Sequence, residues 1–164
     1  RLSREKGMDV LLDAFARLET PGASLLIGGD GPERQRLAEQ AADLGIGDRV
    51  RFLGRVASAA EVYGLSRVAA VPSRTEAFGM TTVEALSAGL GVVASDCEGS
   101  REILAGRYGE LVPVGDAAAM ASALDRALAS APDPAPGVAR AREFSDEAGI
   151  DQWERLFAGL ATPA

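Results

Sequence analysis

The sequence predicts an α/β fold, a doubly wound parallel sheet with helices on both faces. Runs such as Val68-Ala69-Ala70-Val71 and Gly91-Val92-Val93-Ala94 are apolar throughout rather than alternating, as strands buried on both faces are. They alternate along the chain with amphipathic stretches of helical period. The 164 residues, 47% of them hydrophobic, suffice for one domain with a sizeable core.

The elements follow in order. Val10, Leu11, Ala14, Phe15 and Leu18 recur at helical spacing between Gly7 and Leu18. Ser24 to Ile27 reads as a short buried strand. Asp30-Gly31-Pro32-Glu33 opens a helix, with Asp30 as its cap, Pro32 in the first turn and an acid suited to the helix dipole; this helix stops at Gly45. Val50 to Leu53 is the next strand, and Ser58-Ala59-Ala60-Glu61 is a capping box leading a short helix. Strands are expected at 68–72, 91–94 and 110–112, and helices at 82–87 and 116–128. The Pro-rich stretch 132–137 reads as a linker before one or two closing helices that end near Leu160, all within a single domain, 1–164. The first visible element is a helix behind a short loop, whereas the first strand of a doubly wound sheet is usually central. The expectation is a chain whose first strand is missing.

Composition removes several classes of function. With no His there is no Ser-His-Asp triad, Cys-His pair or imidazole metal site in this chain. The single Cys97 can form no internal disulfide and reads as a small buried apolar residue. A net charge of −7 argues against a nucleic-acid surface, and no uncharged apolar run is long enough to span a bilayer. Of the 17 basic residues only Lys6 is Lys.

In open α/β sheets ligands bind beyond the carboxyl ends of the strands. Two loops there carry charge. In Arg1-Leu2-Ser3-Arg4-Glu5-Lys6-Gly7, Arg1 and Lys6 can converge on an anion beside a helix N-terminus, or the segment is simply a solvated loop. In the second loop, Pro72 to Ala85, Gly79 lets backbone approach a ligand. Glu76 there is either an ordinary loop carboxylate or a site residue. Glu84 completes a capping box, Thr81-Thr82-Val83-Glu84, or serves a ligand. Gly28-Gly29-Asp30-Gly31 lacks the third glycine of a dinucleotide fingerprint.

Taken together these runs resemble the carboxyl-terminal, donor-binding domain of retaining GT-B glycosyltransferases of family 4, the glycosyl transferases group 1. The resemblance covers nearly the whole chain. It includes Arg1-Leu2 through Lys6-Gly7, Gly28 to Glu33, and Phe52-Leu53-Gly54-Arg55-Val56. Its most specific part is the pair Glu76 and Glu84, seven residues between them, with Phe78-Gly79 inside. It implies a Rossmann-like GT-B half in which Arg1 and Lys6 neutralise the diphosphate of a nucleotide-sugar donor and Glu76 binds hydroxyls of the transferred sugar. Backbone N–H groups of Phe78, Gly79, Met80 and Thr81 would meet sugar or phosphate, Glu84 would hold the ribose, and backbone at Arg55 and Val56 would lie near the base. The donor is a substrate; no cofactor and no metal are expected. The partners implied are the nucleotide sugar and a missing amino-terminal acceptor domain, without which the chain is expected to be inactive. The expected location is cytoplasmic, with any peripheral contact at the inner membrane face made through that absent domain. Two positions depart from the family pattern: Gly91 where Pro is common, and Glu98, near the sugar end, where Gly is usual. Other readings are a different GT-B enzyme, such as a nucleotide-sugar epimerase, or a non-catalytic nucleotide-sugar-binding module.

Overall fold

The computed structural model describes residues 1–130 and 133–160, and in it all five expected strands form and pair in parallel. They are β1 (Leu25–Gly28), β2 (Val50–Gly54), β3 (Val68–Val71), β4 (Gly91–Ser95) and β5 (Glu110–Val112). They make two sheets, β1-β2 and β3-β4-β5, with no bonding between β1 and β3. The helices are α1 (Met8–Phe15), α2 (Arg34–Asp43), α3 (Ala59–Gly64), α4 (Met80–Ser87), α5 (Glu98–Leu104), α6 (Ala117–Ala129), α7 (Ala135–Arg142) and α8 (Asp146–Leu160).

Strand periodicity divides the core. On β4, Val92 and Ala94 join Leu86, Ile103, Leu104 and Ala141 from α4, α5 and α7. Val93 turns to the opposite face, among Leu11, Ala14, Met120 and Ala123 of α1 and α6. Leu25 of β1 reaches that same α1–α6 layer, so the two sheets share it although their edges do not bond. A third cluster, with Leu12, Ile27 and Leu37, seals α1 and α2 over β1 and β2. Complete burial of a Leu such as Leu12 or Leu104 contributes about 1.5–3 kcal/mol.

The structure corrects several expected boundaries. Asp30 caps no helix. Its side chain accepts from Gly31 N–H, and α2 begins only at Arg34, after N-cap Glu33. Ser58 does cap α3, accepting from Ala60 N–H. The capping box at Thr81 does not form, because α4 starts earlier, at Met80, with Gly79 as its N-cap at φ 97°. Only glycine adopts that left-handed conformation without strain. The 132–137 linker is shorter than expected: Ala135, Pro136 and Gly137 are the first turn of α7, where proline's missing N–H costs no helical bond. Pro132 lies outside the described residues. Helix α5 was unexpected. No helix is long and apolar enough to cross a membrane among the described residues.

Candidate functional site

The loop that follows β3 packs against the loop before α1. Gly7, at φ 65°, rests on the Pro72 carbonyl so closely that a Cβ there would stand 1.9 Å from the oxygen. The amide of Arg74 donates to the Glu5 carbonyl at 2.7 Å. The Arg74 guanidinium completes the junction, donating to both carboxylate oxygens of Asp9 and to the Arg4 carbonyl, each at 2.8 Å. Three charge-assisted bonds from one planar fork fix the two loops in register.

That junction brings Lys6 to Glu76. The ammonium meets Glu76 Oε2 at 2.7 Å, and the carboxylate is the more buried partner, 15% exposed against 36%. The same oxygen lies 3.4 Å from Ser73 Oγ. A pair this exposed adds little stability; its interest is geometric, a cation and an acceptor held side by side.

Next along the loop, the first turn of α4 is open. Thr82 and Val83 N–H both turn back to the Gly79 carbonyl. The N–H groups of Phe78, Gly79, Met80 and Thr81 enter no backbone hydrogen bond among the described residues. Such a helix start carries free donors and a partial positive charge. Gly79 itself is buried, while Phe78 and Met80 are about half exposed and Phe78 stacks edge-on against Phe144. The loop's floor is α5: Gly99 N–H donates to the Glu76 carbonyl, and Gly99 packs directly on the Phe78 carbonyl. The glycine this packing requires is therefore Gly99. Glu98 is exposed at the first position of α5, so the departure noted in the sequence does not disturb the contact.

One turn further, Glu84 is exposed and free of any capping role, and its Oε2 accepts from the Tyr63 hydroxyl at 3.1 Å. Tyr63 belongs to α3, whose Val62 lies over Gly28 together with Val56. Arg55 and Val56 directly follow β2, and Val56 shares with Val62 the packing over Gly28. Arg1 is exposed next to Gly29. The Ser3 hydroxyl and the Glu5 amide hold the Glu5 carboxyl below its usual value, and the charge of Arg1 adds less. No hydrogen bond or ion pair joins Arg1 or Arg55 to the Lys6–Glu76 pair among the described residues. Cys97 is buried, with its thiol donating to the Ser73 carbonyl. Burial and the nearby charges of Glu76 and Asp96 push that thiol up, which makes it unreactive packing under the loop. Asp9, Arg74 and Tyr63 escape sequence reasoning, since their partners lie 21 to 70 residues away along the chain.

Residues 1–144 match the family model described as glycosyl transferases group 1. The chain belongs to that family. Among curated proteins it is 44% identical over 144 residues to a phosphatidyl-myo-inositol mannosyltransferase of Mycolicibacterium smegmatis, covering 84% of this chain and 36% of the relative. It is 37% identical over 173 residues to a D-inositol 3-phosphate glycosyltransferase of Gordonia bronchialis, covering 92% and 37%. Among solved structures, sucrose-phosphate synthase from Thermosynechococcus elongatus superposes with a TM-score of 0.83 at 34% identity, over 98% of this chain and 43% of that one. Anabaena Alr3699/HepE in complex with UDP-glucose gives 0.83 at 29%, over 96% and 47%. The fold is thus the Rossmann-like α/β architecture of GT-B glycosyltransferases. The chain spans little more than a third of these curated relatives and under half of the solved ones.

Proposed function

We propose that this chain is the carboxyl-terminal, donor-binding half of a retaining GT-B glycosyltransferase of family 4, which moves a sugar from a nucleoside diphosphate to an acceptor. One observation carries the reading: Lys6 and Glu76 meet at 2.7 Å beside the unbonded N–H groups that open α4. A diphosphate needs a cation and free donors; a sugar ring needs a carboxylate to accept its hydroxyls. Both lie here within one side chain's reach. The resemblance to an Anabaena protein solved with UDP-glucose supports a nucleotide sugar as the ligand.

In the proposed reaction the bond from the sugar's anomeric carbon to the diphosphate oxygen breaks, and its electron pair leaves with the diphosphate. Lys6, Arg1 and the α4 N-terminus stabilise that growing charge without a metal ion. The acceptor hydroxyl bonds to the same carbon and passes its proton to the departing diphosphate oxygen, with the new linkage on the face that the donor occupied. Glu76 holds the transferred sugar, Glu84 the ribose, and backbone at Arg55 and Val56 the base. The acceptor is bound by an amino-terminal domain, so the isolated chain does not turn over. The unbonded facing edges of β1 and β3 suit one further parallel strand, which would unite the two sheets. The proposed setting is the cytoplasm, with any contact to the inner membrane face made by the other domain.

The test is a panel of nucleotide sugars assayed for transfer with the intact protein and its Glu76→Ala variant. The variant is expected to fold normally and lose transfer; near-normal turnover would remove Glu76 from the site. Conversion of donor without any acceptor would instead mark an epimerase.

A further inference from the structure

The side chain of Glu84 has no helix-capping duty, yet it is not left to solvent: Tyr63, on a different helix, donates its one hydroxyl proton to Oε2. We propose that Tyr63 is a specificity-determining residue for the sugar of the nucleotide, fixing the Glu84 carboxylate and adding a second acceptor so that adjacent ribose hydroxyls are read as a pair. The proposal rests on the reading that Glu84 meets the ribose, and deepens it.

Three observations support it. First, the ring of Tyr63 is half-buried against the core cluster that contains Val71, Val83 and Leu86, so the hydroxyl has a fixed origin. Second, α3 is itself pinned at its other side, where Val62 packs over Gly28 at the end of β1. The hydroxyl is therefore presented to Glu84 by a braced helix. Third, burial and the charge of Glu84 both push the phenol's pKa up, so it remains a proton donor at every working pH.

The consequence follows from counting lone pairs. A carboxylate alone on a helix surface turns freely and accepts from one hydroxyl as readily as from two. With Oε2 engaged by Tyr63, the carboxylate is held in one orientation and Oε1 remains available. Having donated its only proton, the Tyr63 oxygen can itself only accept. The pair then presents adjacent acceptors, which a sugar with two neighbouring hydroxyls satisfies and a 2′-deoxy sugar leaves half unmatched. An acceptor buried beneath a ligand without its donor weakens binding, and that asymmetry is the source of discrimination.

The experiment is calorimetric titration of the intact protein with uridine, guanosine and adenosine diphosphates, each beside its 2′-deoxy counterpart. Four proteins are compared: wild type, Tyr63→Phe, Glu84→Ala and the double variant. Tyr63→Phe keeps the ring and its packing, and a thermal melt checks that it folds. Wild type should prefer the ribonucleotide by roughly tenfold or more, and Tyr63→Phe should lower that ratio by about threefold to tenfold. In the Glu84→Ala background the ratio should be near one, with Tyr63→Phe changing nothing further. An unchanged ratio in Tyr63→Phe, with a lowered one in Glu84→Ala, overturns the role of Tyr63 and leaves the ribose contact standing. No change in Glu84→Ala overturns the ribose contact and this proposal together. Failure of every ribonucleotide to bind the folded wild type overturns the donor site itself.

Discussion

The Arg74 guanidinium holds both oxygens of Asp9 and the carbonyl of Arg4, and through them it determines where Lys6 stands. Asp9 shows this in its titration. Its carboxyl is held below its usual 3.8, chiefly by the hydrogen bonds from Arg74, with burial opposing. A carboxyl whose folded pKa is depressed stabilises the fold above its ordinary range and loses that contribution as pH falls through the lower folded value. Replacing Asp9 by Asn should therefore cost about 1 kcal/mol at pH 7, since both groups are partly exposed. The gap from wild type should narrow only below about pH 4. Urea midpoints measured from pH 7 down to pH 3 check this, and a gap that is constant across that range would contradict it. Lys6 illustrates what residue-level reading of the sequence can deliver. Its isolation as the single Lys, in a loop before a helix, marked it; its 2.7 Å contact with Glu76, 70 residues away, could not be read.

Elements carry the site through where they begin. Gly79 starts α4 two residues earlier than apolar periodicity suggests, and that shift releases Glu84 from the capping box its spacing spells. The signal was present, a glycine at the left-handed position, but Thr81-Thr82-Val83-Glu84 offered a competing start of equal local quality. Helix α5 left no such signal: it has seven residues, opens on Glu-Gly-Ser, and draws its stability from packing against the Glu76–Phe78 loop. That packing gives a sharp contrast between neighbours. A Cβ at Gly99 would stand 2.4 Å from the Phe78 carbonyl oxygen, so Gly99→Ala must move the loop. Its expected cost is about 1–3 kcal/mol in stability, with weakened nucleotide binding. Glu98→Gly, at an exposed position, should shift stability by under about 1 kcal/mol. Thermal melts and nucleotide titrations of the two variants decide it, and equal effects would contradict the packing described.

At the scale of the whole molecule, the parallel sheet architecture was legible because its strands are uniformly apolar, a pattern dictated by burial on both faces. The rim that carries the candidate site was legible as an expectation, from the rule that ligands bind beyond the carboxyl ends of such strands. What joins those loops was not, because the Arg74–Asp9 and Tyr63–Glu84 contacts arise only when the two sheets are brought over one helical layer. The exposed Ile150, Trp153 and Phe157 lie along α8, with the Trp153 and Phe157 rings stacked. The absence of His excludes imidazole catalysis by this chain, and the roles proposed for its residues are those of position and charge. A crystal structure of the intact protein with a nucleotide sugar tests that claim most directly. The account predicts the diphosphate within hydrogen-bond distance of Lys6 Nζ and the N–H groups of residues 78–81, with the sugar on Glu76 and the ribose on Glu84. A donor bound away from the start of α4, with the Lys6–Glu76 pair intact and untouched, would contradict it.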